Sequence, residues 1–462
     1  MSALCSILLA LVVGLSPFWL GSNRPLPWAG HAVVFGSVLA LTGLAVLIEA
    51  RRYPALMAGQ LLWPLLLVAA GLAWGLVQLL PLQQLLPVHP AWEVAAAALG
   101  RQLAGTISIN PAETGWALLR WATAGAVLLA ACCLARQPSN ATLMLRLLLM
   151  LAGLAGLYGL VRLSLSLDRI LWFDEADTGY LTAGFINRNN AATFFGMTSV
   201  AALGLLLAGA RRLLERSGGM SGRGRTEAWA SSLAGRLGID LVLFVLLFVS
   251  LLATGSRGGI LVSLAAMLVL LVLFGLRGGA QRGRPVSRAG WTLLLLLGGG
   301  LIVALLELSG FRVMARLLDQ GLDSAARLDT YRQTLVAIGD YLWLGSGLGT
   351  FQDVFPAYRL DIAPGRHVWD KAHNDYLELI LGLGLPAAAA VLTGLSLLAW
   401  KVLRGFFVRR RDRHFAAIAV CACVLAALHS LVDFSLQIQA NSLVLALLMG
   451  LGLGQSISSR DG

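Results

Sequence analysis

The stretch "KAHNDYLELILGLG" (Lys371–Gly384) places a histidine, an asparagine and an aspartate directly before an apolar segment. If that segment is a helix, Asn374 or Asp375 can cap its N-terminus. The partial positive charge of a helix N-terminus disfavours a charged imidazole at His373. A neutral ring with a free nitrogen is suited to act as a general base. The alternative is that His373 is only one residue of a helix cap.

Arginines near apolar segments could supply positive charge to the same reaction. A charged group at membrane depth is costly and marks a functional site or a buried pair. Arg257 lies in the turn "ATGSRGGI" between two apolar segments with no acid beside it, which favours anion binding over snorkelling. Arg120 lies inside an apolar segment and therefore needs a partner or a polar cavity.

The composition indicates the kind of structure that must hold these residues in place. The chain has 462 residues, of which 58% are hydrophobic and 13% charged, whereas soluble domains carry about 25% charged residues. Apolar stretches of about 20 residues recur, and they must be helical because every backbone group in a bilayer has to pair internally. We expect an all-α polytopic membrane protein with about 12 transmembrane helices.

The expected organisation has three parts. Helices 1 to 9 occupy residues 1–308, a large loop with amphipathic helices covers 309–373, and the last three helices with a short tail cover 374–462. The predicted spans are 3–21, 31–49, 61–80, 115–135, 141–163, 190–210, 237–254, 258–276, 291–308, 374–400, 416–434 and 440–456.

The distribution of Lys and Arg predicts the orientation. With a cytoplasmic N-terminus, the inside loops hold about 20 of these residues and the short outside loops about 6. Both termini are therefore expected in the cytoplasm and the 309–373 loop in the periplasm. The net charge of +12 is concentrated in loops such as "FFVRRRDRH". These loops read as topology signals and contacts for anionic membrane lipids, and no nucleic acid partner is expected.

Two features of the large loop have structural explanations. The stretch "SAARLDTYRQTLVAIGDYLWLG" predicts an amphipathic helix. The residues expected on one apolar face are Leu328, Tyr331, Leu335 and Ile338. In the same helix Arg327 and Arg332 flank Asp329, and spacing does not say which arginine pairs with an aspartate. "GSGLGTF" reads as a tight turn, because it lacks the Lys-Ser/Thr of a phosphate-binding P-loop.

Histidines cluster on the predicted outer face, where a one-sided active site would lie. The outer histidines are His31, His89, His367, His373 and His429. His429 and Asp433 in "HSLVDF" are four positions apart and could line the site or pair structurally; the roles of His31, His89 and His367 are left open. The acidic stretch Asp174–Asp177 favours a solvated loop over a metal site, so no metal and no other cofactor is expected.

At this point the sequence resembles the O-antigen ligase and polymerase superfamily of membrane glycosyltransferases. The ordered motifs are "NRNNAATFF", "TGSRGG", "RLDTY", "GSGLGTF", "HNDYLELILGLGLP" and "HSLVDFSLQIQANS", over about residues 180–450. The resemblance implies a GT-C-like enzyme of the bacterial inner membrane with a periplasmic active site. It moves a glycan from undecaprenyl diphosphate to an acceptor.

The resemblance also implies residue roles. His373 is the catalytic residue, Arg257 and Arg327 bind the diphosphate, and Arg188 of "NRNN" is a further candidate. Other candidates for the substrate site are Arg120, Tyr331, Asn374, Asp375 and His429. We expect a metal-independent, inverting transfer, in which histidine removes the proton of the acceptor hydroxyl and arginines stabilise the leaving diphosphate.

The possible enzyme activities differ in the acceptor that receives the glycan. An O-antigen ligase uses lipid A–core oligosaccharide, a polymerase uses another lipid-linked glycan, and a third type of relative glycosylates proteins. The single large outside loop and short tail favour the ligase. Outside the enzyme class, a transporter of lipid-linked glycan would need a polar path across the membrane, whereas the unusual polar residues here collect on one side. Glycan identity, the acceptor hydroxyl and the oligomeric state do not follow from the sequence.

Overall fold

The computed structural model describes residues 1–48, 61–276 except 168, 170, 172, 174–178, 219 and 221, then 321–359, 369–409 and 411–457. Within these ranges the regular structure is helical. The longer α-helices are α1 (Ser2–Leu15), α2 (Pro25–Ile48), α3 (Leu62–Val77), α4 (Ala91–Leu99), α5 (Pro111–Leu134), α6 (Pro138–Ser164), α7 (Arg188–Ser217), α8 (Gly222–Ala234), α9 (Arg236–Ala253), α10 (Arg257–Leu276) and α11 (Gly321–Asp340). They are followed by α12 (Phe351–Val354), α13 (Asp375–Leu383), α14 (Leu385–Val408), α15 (His414–His429) and α16 (Gln439–Ile457).

Eight of the described helices are long and apolar enough to cross a membrane. They are α2, α5, α6, α7, α9, α10, α14 and α16. Three shorter apolar helices, at Ser2–Phe18, Leu62–Val77 and His414–His429, coincide with other predicted spans. The span predicted at 291–308 lies outside the described residues. The prediction of a polytopic helical membrane protein is confirmed.

The span predicted as one helix over 374–400 is two helices. Gly384 has φ +77° and separates the short helix α13 from the membrane-length helix α14. A Cβ at Gly384 would lie 2.5 Å from the carbonyl oxygen of Trp343, so only glycine allows this break. The prediction was wrong because an uninterrupted apolar pattern does not reveal a break caused by backbone conformation.

Helix α7 lies at the centre of the bundle, packed against α9, α10 and α15. Small residues on α7 allow the close approach: a Cβ at Gly196 would lie 2.2 Å from Ser263 Oγ on α10, and one at Gly204 would lie 2.4 Å from Ile418 on α15. Small residues are the usual means of close packing between membrane helices, because lipid supplies no hydrophobic driving force there. The three helices α7, α10 and α15 are thereby held in register.

Helix α11 confirms the predicted helix in the large loop, but of the residues predicted on its apolar face only Ile338 is buried. Leu328 and Leu335 are each 55% exposed. Among residues 327–340 of α11, whose burial the structure describes, the buried ones are Thr330, Thr334, Ala337 and Ile338. Ala337 and Ile338 pack in a cluster with Phe351 and Phe355 that also reaches the start and the end of α13. Small side chains face this junction because α11 and α13 lie close together there.

The predicted tight turn "GSGLGTF" is a turn that supports α13. Gly345, Gly347 and Gly349 all have positive φ, which explains the glycine spacing. The turn pairs with the end of α13, since the N–H groups of Ser346 and Gly347 donate to the carbonyl oxygens of Leu381 and Gly382. Its glycines therefore serve backbone packing.

Candidate active site

The N-terminus of α13 holds His373 in an unusual backbone conformation. Asn374 is the N-cap, and its Oδ1 accepts hydrogen bonds from the N–H groups of Tyr376 and Leu377 at 3.0 and 3.1 Å. Of the two predicted caps, Asn374 is therefore the one that caps. His373 itself has φ +54°, a left-handed conformation that costs energy for a non-glycine residue. Tyr331 Oη of α11 donates to the His373 carbonyl oxygen at 2.9 Å and helps to hold it there.

The His373 ring lies against a buried carboxylate. Nδ1 of His373 is 3.6 Å from Oδ1 of Asp433, just beyond hydrogen-bond length, and Asp433 is 1% exposed. Phe434 and Trp369 contact the ring edge to face, with centroids 5.0 and 5.7 Å away. The ring remains 18% exposed. With Nδ1 facing the carboxylate and aromatic rings on its sides, Nε2 is the nitrogen available to a substrate.

Asp433 is kept ionised in spite of its burial. Burial by itself raises the pKa of this carboxyl. The imidazoles of His373 and His429 and the hydroxyl of Ser435 lower it by more, so the pKa lies below its ordinary value. Asn189 Nδ2 also donates to Oδ1 of Asp433 at 3.3 Å. A carboxylate solvated in this way can orient the His373 ring and stabilise its protonated form.

The connection between α15 and α16, residues 430–438, carries Asp433 and is clamped from both ends by Asp375. Oδ2 of Asp375 accepts a hydrogen bond from Ser430 Oγ at 2.7 Å, and Oδ1 accepts one from Gln437 Nε2 at 3.0 Å. Asn374 Nδ2 adds a hydrogen bond to the Leu431 carbonyl oxygen at 3.0 Å. The two residues that follow His373 in sequence thus fix the segment that carries its partner.

Arg120 has the partner that its position required. Its Nη1 donates to the Gln437 carbonyl oxygen at 3.0 Å, and its Cζ lies 4.5 Å above the ring of Trp28. In this position the guanidinium anchors the far end of the 430–438 connection. The geometry thus gives Arg120 a part in holding the site together.

A hydrogen-bonded path leads from Asp433 to the turn that carries Arg257. Asn189, which donates to Asp433, accepts through Oδ1 a hydrogen bond from Ser256 Oγ at 2.8 Å. Ser256 directly precedes Arg257, the first residue of α10. The N-terminus of α10 thereby lies beside the His373–Asp433 pair, where a helix N-terminus favours an anion.

Arg188 stands next to the same turn. Its Cζ lies 4.2 Å above the ring of Tyr180. Tyr180 in turn packs on Gly255, where a Cβ would approach the tyrosine ring to 2.6 Å and where φ is +61°. This row of contacts brings Arg188 and Arg257, which are distant in sequence, to one side of the site.

Arg327 and His429 complete the group. Arg327 on α11 is close enough to act electrostatically on both Tyr331 and His429. Burial raises the pKa of the Tyr331 phenol, with an opposing effect of Arg327, so the tyrosine stays a neutral donor. His429 is buried, and its Nδ1 lies 2.6 Å from Thr193 Oγ1 of α7. The neighbouring arginine Arg332 pairs with Asp329 at 3.2 Å, which answers the question of pairing that spacing left open.

The other outer histidines have separate contacts. His31 Nδ1 lies 3.0 Å from Gln439 Oε1, and the His89 ring stacks on Tyr341 with centroids 5.1 Å apart. His367 and the acidic stretch 174–177 lie outside the described residues. In the ranges that the structure does describe, no group of three or more His, Cys, Asp or Glu side chains is arranged to hold a metal ion.

Residues 242–392 match the model of a family described as O-antigen ligase. Over these residues the chain resembles the O-antigen ligase family. The matched segment contains Arg257, Arg327 and the His373–Asp375 motif, whereas Arg188 and Asp433 lie outside it. This similarity supports a transferase role in general. No protein of curated function matches the chain.

The proximity of His373 to Asp433 was not predicted from the sequence. "HSLVDF" drew attention to Asp433, but the four-residue spacing suggested His429 as its partner on one helix. In the structure α15 ends at His429, and Asp433 lies beyond that end in the connection. The sequence contained both residues, but the end of α15 at His429 places Asp433 outside the helix, where it faces His373 instead.

Proposed function

We propose that this protein is an O-antigen ligase that transfers a glycan from undecaprenyl diphosphate to a hydroxyl of lipid A–core oligosaccharide. The observation that carries the proposal is the His373–Asp433 pair beside Arg257 and Arg327, with three of these four residues in the segment that matches the family. The proposal includes twelve spans in the bacterial inner membrane, both termini in the cytoplasm and the site facing the periplasm.

In the proposed reaction His373 is the general base. The carboxylate of Asp433 favours the tautomer with the proton on Nδ1 and leaves Nε2 free. The acceptor hydroxyl oxygen attacks C1 of the donor sugar while Nε2 takes the hydroxyl proton. The 3.6 Å between Nδ1 and Oδ1 suits a pair that closes when substrate is bound, because catalytic hydrogen bonds are often long without it.

The same step breaks the bond between C1 and the diphosphate oxygen. Both electrons of that bond leave with undecaprenyl diphosphate, and the direct displacement inverts the configuration at C1. Arg257 and Arg327 would hold the diphosphate, because a guanidinium is permanently charged and can donate two parallel hydrogen bonds to phosphate oxygens. Arg188 and the N-terminus of α10 add positive charge on the same side.

Three features support a site on one side of the membrane. Asn189 at the start of α7, Arg257 at the start of α10 and His429 at the end of α15 all lie at the same end of the bundle. The predicted orientation places this end in the periplasm. A transporter of the same lipid would need polar groups along a path across the bundle, whereas the groups proposed here for the reaction lie at one end of it.

The test uses cells that lack their own O-antigen ligase but make a compatible lipid-linked glycan. Wild-type protein is expected to restore the lipopolysaccharide ladder on a gel, and His373→Ala is expected to abolish it at equal membrane level. His89→Ala is the matched control, because this outer histidine stacks on Tyr341 away from Asp433.

The possible results distinguish a ligase from a polymerase, and a general base from a helix cap. If wild type lengthens the glycan on undecaprenyl diphosphate and leaves lipid A–core unmodified, the protein is a polymerase and the ligase proposal is wrong. If His373→Ala restores a full ladder, His373 is a helix cap and the proposed mechanism is overturned.

A further inference from the structure

Glu378, in the first turn of α13, is a buried carboxylate to which the proposed reaction gives no part. Its Oε1 accepts a hydrogen bond from the N–H of Ala372 at 2.7 Å. Ala372 is 0% exposed and directly precedes His373. A buried backbone N–H needs an acceptor, and here a side chain of the following helix reaches back to supply it.

This contact matters because of the backbone conformation of His373. A non-glycine residue keeps a φ of +54° only where its neighbours hold it there. On the C-terminal side Asn374 caps α13, and Tyr331 binds the His373 carbonyl oxygen. On the N-terminal side the hydrogen bond from Ala372 to Glu378 supplies the corresponding contact. The backbone of His373 is therefore held from both directions.

The groups around Glu378 keep its carboxyl in place. Arg120 and Lys371 are close enough to act on it electrostatically, and the side chain of Gln437 stabilises its ionised form as well. Burial nevertheless has the largest effect and raises the pKa of the Glu378 carboxyl above its ordinary value. Ala372 requires an acceptor oxygen, so the contact does not depend on a full negative charge.

We propose that Glu378 is a positioning residue for glycan transfer, which keeps His373 in the left-handed conformation that turns its ring toward Asp433. Without this acceptor the N–H of Ala372 loses its buried partner, and the backbone at His373 relaxes. The ring then moves relative to the Asp433 carboxylate, and a displacement of about 1 Å can cost about 10²-fold in rate. This inference rests on the proposed function, because it assigns Glu378 a role in the same site.

Two conservative substitutions separate the acceptor from the charge. Glu378→Gln removes the charge but keeps a carbonyl oxygen at the same reach. Glu378→Asp keeps the charge but shortens the side chain by one methylene, so its carboxylate no longer reaches the N–H of Ala372. The control is Glu93→Gln in the first turn of α4, where the carboxylate is exposed.

The kinetic readout is glycan transfer by purified protein in neutral detergent. For Glu378→Asp we expect kcat to fall by about 10- to 100-fold with KM little changed, and for Glu378→Gln to stay within about 3-fold of wild type. Glu93→Gln should stay within about 2-fold, because water solvates its charge. Equal losses in the two Glu378 variants, or a larger loss in Glu378→Gln, would overturn the proposal.

Hydrogen exchange and chemical modification test the same contact without glycan transfer. The Ala372 amide should exchange slowly in wild type and in Glu378→Gln, and at least about 10-fold faster in Glu378→Asp. Diethylpyrocarbonate should modify His373 faster in Glu378→Asp than in the other two proteins, because the ring leaves its contacts with Phe434 and Trp369.

These measurements distinguish failure of this proposal from failure of the proposed function. If exchange and modification follow the expected pattern but wild type transfers no glycan, Glu378 holds His373 as proposed and the proposed function is wrong. If the Ala372 amide of wild type exchanges as fast as an unprotected amide, the proposal is overturned, whether or not the variants fold.

Discussion

The two ends of α7, α10 and α15 hold their charges in opposite ways. At the His373 end the carboxylate of Asp433 is 1% exposed and is surrounded by fixed donors. At the other end Arg212 is 58% exposed, and its partner Asp412 is 25% exposed. A buried charge needs hydrogen-bond donors or counter-charges from the protein itself. An exposed ion pair is also solvated by water and contributes little to stability.

The difference indicates what each end can do. Fixed donors and a fixed base cost no reorganisation during a reaction, which is what catalysis of charge transfer requires. The exposed Arg212–Asp412 pair at the other end can rearrange at little cost, because water solvates both charges. Substitutions that act on one end and spare the other therefore test the contrast directly.

The largest effect is expected at His373. His373→Gln keeps a polar side chain but removes the base, and glycan transfer should fall by about 10²- to 10⁴-fold. The rate is measured with purified protein, donor and acceptor at equal folded concentration. A fall of less than about 5-fold would show that the histidine does not move the proton.

The next effect is expected for the arginines that we propose bind the diphosphate. Arg327→Gln should lower the rate by about 10²- to 10³-fold, the usual loss for one donor that stabilises developing charge. The control is Arg332→Gln on the same helix, since Arg332 is 79% exposed and pairs with Asp329. The proposed role of Arg327 fails if the two variants lose the same activity.

Asp433→Asn tests whether the negative charge buried at the His373 end is needed for the reaction. The neutral amide no longer stabilises a protonated His373 ring, and the rate should fall by about 10- to 100-fold at neutral pH. Retention of full activity by this variant would remove Asp433 from the mechanism.

The same variant gives a pH test of stability. Because the native pKa of Asp433 is below its ordinary value, its ionised form stabilises the folded protein above about pH 4, and this stabilisation is lost as pH falls through the native pKa. The difference in thermal midpoint between wild type and Asp433→Asn should therefore shrink between about pH 5 and pH 3. A difference that stays constant over this range would contradict the assigned ionisation.

A smaller effect is expected at Asp375, which we treat as a positioning residue. Asp375→Ala frees Ser430 and Gln437, so Asp433 is held less firmly and kcat should fall by about 10-fold with KM little changed. Asp375→Asn keeps an acceptor oxygen and a polar side chain and should recover most of that loss. Equal loss in both variants would point to the charge of Asp375 instead of its hydrogen bonds.

The smallest effect is expected at the other end of the bundle, where Arg211, Arg212, Arg411 and Arg413 are among the residues that line a cavity. Arg411→Gln with Arg413→Gln should leave glycan transfer within about 2-fold of wild type in the same detergent assay, because the cavity lies about 33 Å from the site. A loss of rate as large as that of Arg327→Gln would mean that the cavity and the His373 site are coupled. The two ends of the bundle would then not act independently.

Features that depend on neighbouring residues were predictable. The existence of most helices follows from apolar length, and the cap at Asn374 follows from its position before α13. The stretch "GSGLGTF" was predicted as a tight turn because it lacks the Lys-Ser/Thr of a P-loop, and the positive φ of its glycines is consistent with a turn. His373 was singled out because its place before a helix is visible in the sequence.

Features that depend on distant residues were not predictable from pattern alone. The face of α11 was assigned by large apolar residues, but the helix buries Thr330 and Thr334, because small side chains fit its close contact with α13. The helix predicted over 374–400 breaks at Gly384, where the chain passes the carbonyl group of Trp343. In both cases a neighbour distant in sequence decides the local structure.

By itself the sequence determined that this is a helical membrane protein, where most of its helices lie, and that His373 stands at a helix N-terminus with arginines elsewhere in the chain. Hydropathy and capping act within a few residues, so they can be read along the chain. Only the tertiary structure decided that Asp433 faces His373, that Asp375 holds both ends of the connection that carries Asp433, and that four arginines share one cavity. These pairings depend on where α15 ends and how α7, α10, α13 and α16 pack, which no local pattern encodes.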